Sequence, residues 1–179
     1  QRDAALDRDF VLSVECEGLD TPQAWIERDD NGGQAVAVAF VPRLGEAMTP
    51  CDVTFLVDRS GSMQGTSTTE VRNALQLCLR SMIPGCTFNI VGFGSTYESL
   101  FPESRPYDEA SLAEASAHVT ALTANLEGTE ILPALQFVLE QPRREGRPRQ
   151  VVVLTDGEVT NTDAVLALAR SHAAHARVF

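Results

Sequence analysis

Two short runs constrain this chain more than anything else in it. Val53-Thr54-Phe55-Leu56-Val57 and Val151-Val152-Val153-Leu154 are almost uninterruptedly apolar, and carboxylates follow them directly as Asp58 and as Thr155-Asp156. A strand with one wet face alternates apolar and polar residues. A run that does not alternate is buried on both faces, as central strands of parallel sheets are. Helical patterns lie between the runs. Glu70 to Met82 carries Val71, Ala74, Leu75, Cys78, Leu79 and Met82 on one face and is stopped by Pro84-Gly85. Asp108 to Leu122, Glu130 to Glu140 and Thr162 to His172 are further helices, and Thr87 to Phe93 is a further strand. Glu98 to Phe101 suits a short edge strand, and Arg177-Val178-Phe179 a strand just starting. This order predicts an α/β fold with an open, mostly parallel sheet and helices on both faces. Such sheets bind ligands outside the carboxyl ends of their strands, where the two carboxylates fall.

Residues 1–44 follow a different grammar. Asp9 to Glu17 alternates as a strand, Ala24 to Arg28 is short and extended, Asp29-Asp30-Asn31-Gly32-Gly33 is a turn, and Ala35 to Val41 is a second strand. This is an all-β segment, and Pro42 to Pro50 reads as a linker.

Composition removes several functions. The formal charge of −11 repels nucleic acid and attracts cations. There is no Lys, which excludes Schiff-base and Lys-dependent phosphate chemistry. The longest clean apolar run, Ala35 to Val41, falls far short of the roughly 20 residues that span a bilayer. Cys16, Cys51, Cys78 and Cys86 have no CxxC spacing, which argues against zinc and for buried free thiols, although disulfides stay open. No signal-peptide pattern is present and the compartment is left open.

The chemistry-bearing residues form three groups. Asp58 ends a strand, and Ser60 and Ser62 alternate on the loop after it, with Gly61 between them. Asp156 ends another central strand, and Glu127-Gly128-Thr129-Glu130 enters a helix with a hydroxyl on Thr129. Each group alone suits an ordinary turn or helix cap. Together, at one edge of one predicted sheet, their oxygen donors suit a hard cation, Mg²⁺ or Mn²⁺. If the carboxylates act partly through water, the ion stays electrophilic and favours a carboxylate arriving from a partner. Met63 and Gln64 are expected on the rim of that site.

These motifs resemble the metal-ion-dependent adhesion site of von Willebrand factor A domains: Asp58-Arg59-Ser60-Gly61-Ser62, then Gly128-Thr129-Glu130-Ile131, then Thr155-Asp156-Gly157-Glu158. Phe88-Asn89-Ile90, Gly92-Phe93-Gly94-Ser95 and Phe101-Pro102-Glu103-Ser104 resemble the von Willebrand factor A domain-containing 5 group in particular. The resemblance implies a Rossmann-like sheet over residues 51–179, a linker at 45–50, and in 1–44 the tail of a VIT-like β domain. It implies metal contact by Ser60, Ser62 and Thr129, with Asp58 and Asp156 often acting through water. It implies a non-enzymatic module that binds a protein presenting Asp or Glu. A complete A domain continues beyond the position of Phe179, so the sheet is expected to be cut there and the isolated chain to be marginal.

Two rivals are weaker. A phosphatase of the haloacid dehalogenase class would use Asp58 with Asp156 and Asp163, but it needs an Asp where Ser60 stands and a Lys that the chain lacks. A nucleotide switch needs a GxxxxGK[ST] loop, which is missing. A structural A domain whose site stays unfilled is a third alternative. Arg143, Arg144, Arg147 and Arg149 are expected in a solvated loop, with contact to an acidic partner as the alternative, and His172 and His175 as solvated residues near a helix end.

Overall fold

The computed structural model describes residues 23–28, 32–39, 49–157 and 161–179. The expected strand from Asp9 to Glu17, the Asp29-Asp30-Asn31 part of the turn, most of the linker, Cys16 and Glu158 lie outside them. The chain divides into two compact units, Gln1–Ala47 and Met48–Phe179. In the first, β1 (Gln23–Arg28) and β2 (Gln34–Ala39) pair antiparallel, with Gln23 opposite Ala39 and Arg28 opposite Gln34.

The second unit begins with β3 (Asp52–Asp58), a 3-10 turn (Gly61–Met63), α1 (Thr66–Arg80) and β4 (Thr87–Phe93). It continues with β5 (Tyr97–Ser99), β6 (Arg105–Pro106), α2 (Glu109–Ala121) and α3 (Ile131–Glu140). β7 (Arg149–Leu154), α4 (Thr162–His172) and β8 (Ala176–Val178) complete it. The sheet order is β5-β4-β3-β7-β8, with β6 also paired to β4. β4, β3, β7 and β8 run parallel, and β5 and β6 add antiparallel pairing at one edge.

The buried strands distribute their side chains as their pleat requires. Phe55 and Val57 of β3 join Phe88 and Ile90 of β4 on one face, under Leu75 and Leu79 of α1 and Ala115 and Val119 of α2. Leu56 of β3 joins Val91, Phe93 and Val151 on the other, under Ile131, Ala134, Leu135 and Val138 of α3, with Val165 and Leu168 of α4 packed alongside. Each fully buried Val, Leu, Ile or Phe among these contributes roughly 1.5–3 kcal/mol by leaving water, and the alanines and half-buried side chains contribute less. Helices therefore cover both faces, and α1 and α4 leave β3 and β7 toward opposite faces. That places a topological switch point between β3 and β7.

Boundaries differ from the sequence reading in places. α1 begins at Thr66, one turn before the expected Glu70; the Thr66-Ser67-Thr68-Thr69 run reads as loop chemistry in sequence. Its hydroxyls are used locally, Thr68 Oγ1 donating to the Met63 carbonyl and Thr69 Oγ1 to that of Gly65. The edge strand ends at Ser99, and Phe101 leaves it to sit 1% exposed in the core. Cys51, Cys78 and Cys86 are free thiols. Cys51 and Cys86 precede β3 and β4 with their sulfurs 3.8 Å apart, and burial, with the neighbouring Cys86, pushes the Cys51 thiol up to about 11.

Candidate metal centre

β3 and β7 pair in parallel through Val57 opposite Leu154, so the residues that follow them emerge side by side. Asp58 is 1% exposed. Its Oδ1 accepts from the Ser60 backbone N–H at 2.8 Å, and its Oδ2 accepts from the Thr155 hydroxyl at 2.7 Å. The Ser60 and Ser62 hydroxyls are 2.9 Å apart, and Ser62 Oγ donates to Asp156 Oδ1 at 3.1 Å. Asp58, Ser60, Ser62, Thr155 and Asp156 thus form one connected set of oxygens running from the sheet interior to solvent, where Ser62 and Asp156 are exposed.

Among the described residues no ion pair reaches Asp58. The adjacent Arg59 turns away. Its guanidinium donates to Glu98 Oε2 at 2.7 Å, to Asn125 Oδ1 at 2.5 Å and, through Nε, to the Thr123 carbonyl at 3.0 Å. A buried carboxylate with only neutral donors is costly, and an incoming cation relieves that cost. The donor set is hard oxygen throughout, with two carboxylates to balance a divalent charge, which suits Mg²⁺ or Mn²⁺. Among the described residues no three His, Cys, Asp or Glu side chains converge on a metal position, so the remaining coordination of any ion would come from hydroxyls, backbone carbonyls or water.

Thr129 belongs to a second loop held against the first. Ser60 and Glu127 form a parallel bridge, and the Gly61 N–H donates to the Glu127 carbonyl at 2.7 Å. Glu127 takes a left-handed φ of 63°, an uncommon conformation for a residue with a side chain, sustained by that bond. The Leu126 N–H donates to the Arg59 carbonyl, and the Glu130 N–H to that of Gly94. Thr129 is half-buried two residues beyond the bridge. The structure brings Asp58, Ser60, Ser62 and Asp156 into one hydrogen-bonded set and puts the Thr129 loop beside them.

Several supporting residues were not singled out as site residues from sequence. Thr155 orients Asp58, and Arg59 ties the Ser60 loop to residues 123–125. Gly94 permits the loops to meet, since a Cβ there would lie 2.4 Å from the Leu126 carbonyl oxygen, and one on Gly92 would lie 2.5 Å from Arg59 Cδ. The Gly92-Phe93-Gly94 spacing was the available signal. Met63 is not on a partner-facing rim: the 3-10 turn carries it inward to 2% exposure, while Gln64 stays exposed. His172 Nδ1 lies 3.1 Å from the Leu168 carbonyl of its own helix and 3.0 Å from Ser171 Oγ, and His175 is exposed.

A doubly wound α/β sheet with an oxygen-rich cluster at the strand ends flanking its switch point defines the fold class of this unit. Residues 51–179 match the family model for the von Willebrand factor type A domain, and the chain belongs to that family. Human von Willebrand factor A domain-containing protein 5B1 is 41% identical over 160 residues, covering 86% of this chain but 13% of that protein. The chain therefore spans a small part of the length of that relative. A von Willebrand factor type A structure from Catenulispora acidiphila superposes with a TM-score of 0.62 at 17% identity, covering 92% of this chain and 41% of the other. Proximal thread matrix protein 1 from the mussel byssus, with a zinc-occupied MIDAS motif, superposes with a TM-score of 0.57 at 18% identity, covering 73% of this chain and 35% of the other.

Proposed function

We propose that this chain is a metal-ion-dependent protein-binding module. Mg²⁺ or Mn²⁺ would be held by Asp58, Ser60, Ser62, Thr129 and Asp156, the hydroxyls in direct contact and the carboxylates partly through water. The observation that carries this reading is Asp58, nearly fully buried, without a cationic partner among the described residues, and joined to a hydroxyl chain that reaches solvent at Asp156. The metal-occupied motif of the mussel protein supports a divalent ion in this fold. A metal held this way supplies a Lewis-acidic position for a carboxylate, so the ligand is a protein presenting Asp or Glu, and the role is binding and not turnover. Residues 51–179 are the A domain in this reading, 45–50 a linker, and 1–44 the tail of a VIT-like β domain.

Metal titration tests the centre. Thermal unfolding in millimolar Mg²⁺ or Mn²⁺ and in chelator should differ, because an ion that binds only the folded state stabilises it. Asp156→Ala should remove the difference and His172→Ala should keep it. An identical melting curve with and without metal overturns the reading. Partner capture that persists in chelator would leave the metal centre standing and move the binding surface elsewhere.

A further inference from the structure

A cavity of about 520 Å³ lies at the amino ends of the strands, between the α3–β7 loop and the turn from α4 into β8. Its lining is out of character with the chain. The whole sequence carries a formal charge of −11, yet Arg143, Arg144, Arg147, Arg149 and Arg177 line this one cavity, against Asp52 as the one carboxylate in the lining. His172 and His175 line it as well. A concave surface of one sign concentrates field and gathers oppositely charged ligands.

The five arginines divide by what they already do. Arg149 is spent, with its donors on Asp52 and on carbonyls at the end of α3. Arg144 donates to the Ser104 carbonyl and stands 4.0 Å from Glu103. The guanidinium groups of Arg143, Arg147 and Arg177 have no hydrogen bond or ion pair among the described residues. Leu139, Pro148, Ala173 and Ala176 add an apolar lining between the charged groups.

We propose that this cavity is a binding site for a small phosphate-bearing anion, with Arg143, Arg147 and Arg177 as its ligands. Its volume falls within the roughly 300–1,000 Å³ range of small-molecule sites. Planar guanidinium forks match phosphate oxygens bidentately, and three forks exceed what the two oxygens of one carboxylate can satisfy. A di- or triphosphate offers enough oxygens for all three, and the apolar lining accommodates an organic body attached to it. The site is separate from the metal centre, which lies at the opposite end of the same strands.

Isothermal titration with pyrophosphate, ADP and adenosine tests this, in chelator so that no divalent ion contributes. Pyrophosphate and ADP should bind at one saturable site, weakening as salt is added, and adenosine should not. The Arg147→Gln, Arg177→Gln double variant should lose about tenfold or more in affinity, a change of about 1.4 kcal/mol. Arg80→Gln, an exposed arginine outside the cavity, should lose nothing. A readout on the unaltered chain avoids any folding defect of the variant: amide resonances of residues 143–147, 149 and 172–177 should shift together on pyrophosphate addition. Absence of saturable binding, equal loss in Arg80→Gln, or shifts elsewhere would overturn the proposal. Tighter binding of an oligo-glutamate peptide than of pyrophosphate would also overturn it, in favour of an acidic protein segment.

Discussion

The two ends of β3 place the same residue in opposite situations. Asp52 opens the strand and Asp58 closes it, 2% and 1% exposed. At the opening end Arg149 Nε donates to Asp52 Oδ2 at 3.1 Å, and Thr87 Oγ1 donates to Oδ1 at 2.9 Å. The same guanidinium caps α3 by donating to the Val138, Leu139 and Gln141 carbonyls, groups that a helix C-terminus otherwise leaves without partners. Arg149 is thus a buried structural cation and not part of a solvated loop. At the closing end Asp58 has a backbone N–H and a hydroxyl. One end is electrically closed, and the other has no cationic partner among the described residues.

The largest expected effect breaks the closed end. Arg149→Ala should destabilise the fold by roughly 3–5 kcal/mol, since it strands the buried Asp52 charge and uncaps α3. Chemical denaturation measures this, and a loss below about 1 kcal/mol would mean that water replaces the guanidinium.

The open end should respond in the reverse sense. In chelator, Asp58→Asn should be neutral or stabilising, because it deletes an uncompensated buried charge while keeping the shape. In metal at about 100 times its dissociation constant, the unaltered chain should gain roughly 2.7 kcal/mol that the variant does not. The two denaturation curves should cross in rank between conditions. If Asp58→Asn is as damaging in chelator as Arg149→Ala, the two ends are not distinct.

Gly94→Ala sharpens the comparison by disturbing the open end alone. The added methyl meets the Leu126 backbone, and overpacking of this kind costs about 1–3 kcal/mol. Metal affinity should fall with it, because the Leu126–Glu130 loop carries Thr129. Unchanged affinity, measured by Mn²⁺ titration, would remove Thr129 from the ligand set.

The smallest effect concerns His118 of α2, which feels the charges of Arg59 and Glu98. Burial, with Arg59 close by, holds its imidazole below the ordinary 6.5, against a smaller opposing pull from Glu98. The unfolded chain therefore takes up the proton first as pH falls. The stabilisation is present above about 6.5 and is lost as pH drops through the lowered value. Melting temperature followed down to about pH 5 should fall, and His118→Gln should flatten the fall. Parallel profiles would assign it to other groups.

Much of the architecture was legible locally. Val53–Val57 was readable as a central strand because burial on both faces suppresses alternation, and α4 was readable over Thr162–His172 from its apolar spacing; Val151–Leu154 is a strand as expected, but only Val151 of that run is buried and Val152, Val153 and Leu154 are half-buried. Asp58, Ser60, Ser62 and Asp156 were readable because the loop motif and the strand ends announce them. The first turn of α1 was not, since its Ser and Thr residues favour loops until Met63 and Gly65 offer them carbonyls. Nor was β6, where Arg105 and Pro106 carry no strand signal and owe their extended form to Phe88 and Thr87 beside them.

Sequence alone determined the α/β class of this domain and which residues sit at its strand ends, because periodicity acts within one element, and the joint occurrence of three motifs carried the family resemblance. It singled out Asp58 by its loop motif and its place at the carboxyl end of a strand, but left open what pairs with each of the two acids that bound this apolar run. Tertiary structure decided that. The parallel register of β3 and β7 brings each acid a partner 97 residues along the chain, Arg149 for Asp52 and Thr155 for Asp58. A guanidinium neutralises a carboxylate and a hydroxyl only orients one, so a single register gives Asp52 a structural ion pair and leaves Asp58, among the described residues, without a cationic partner.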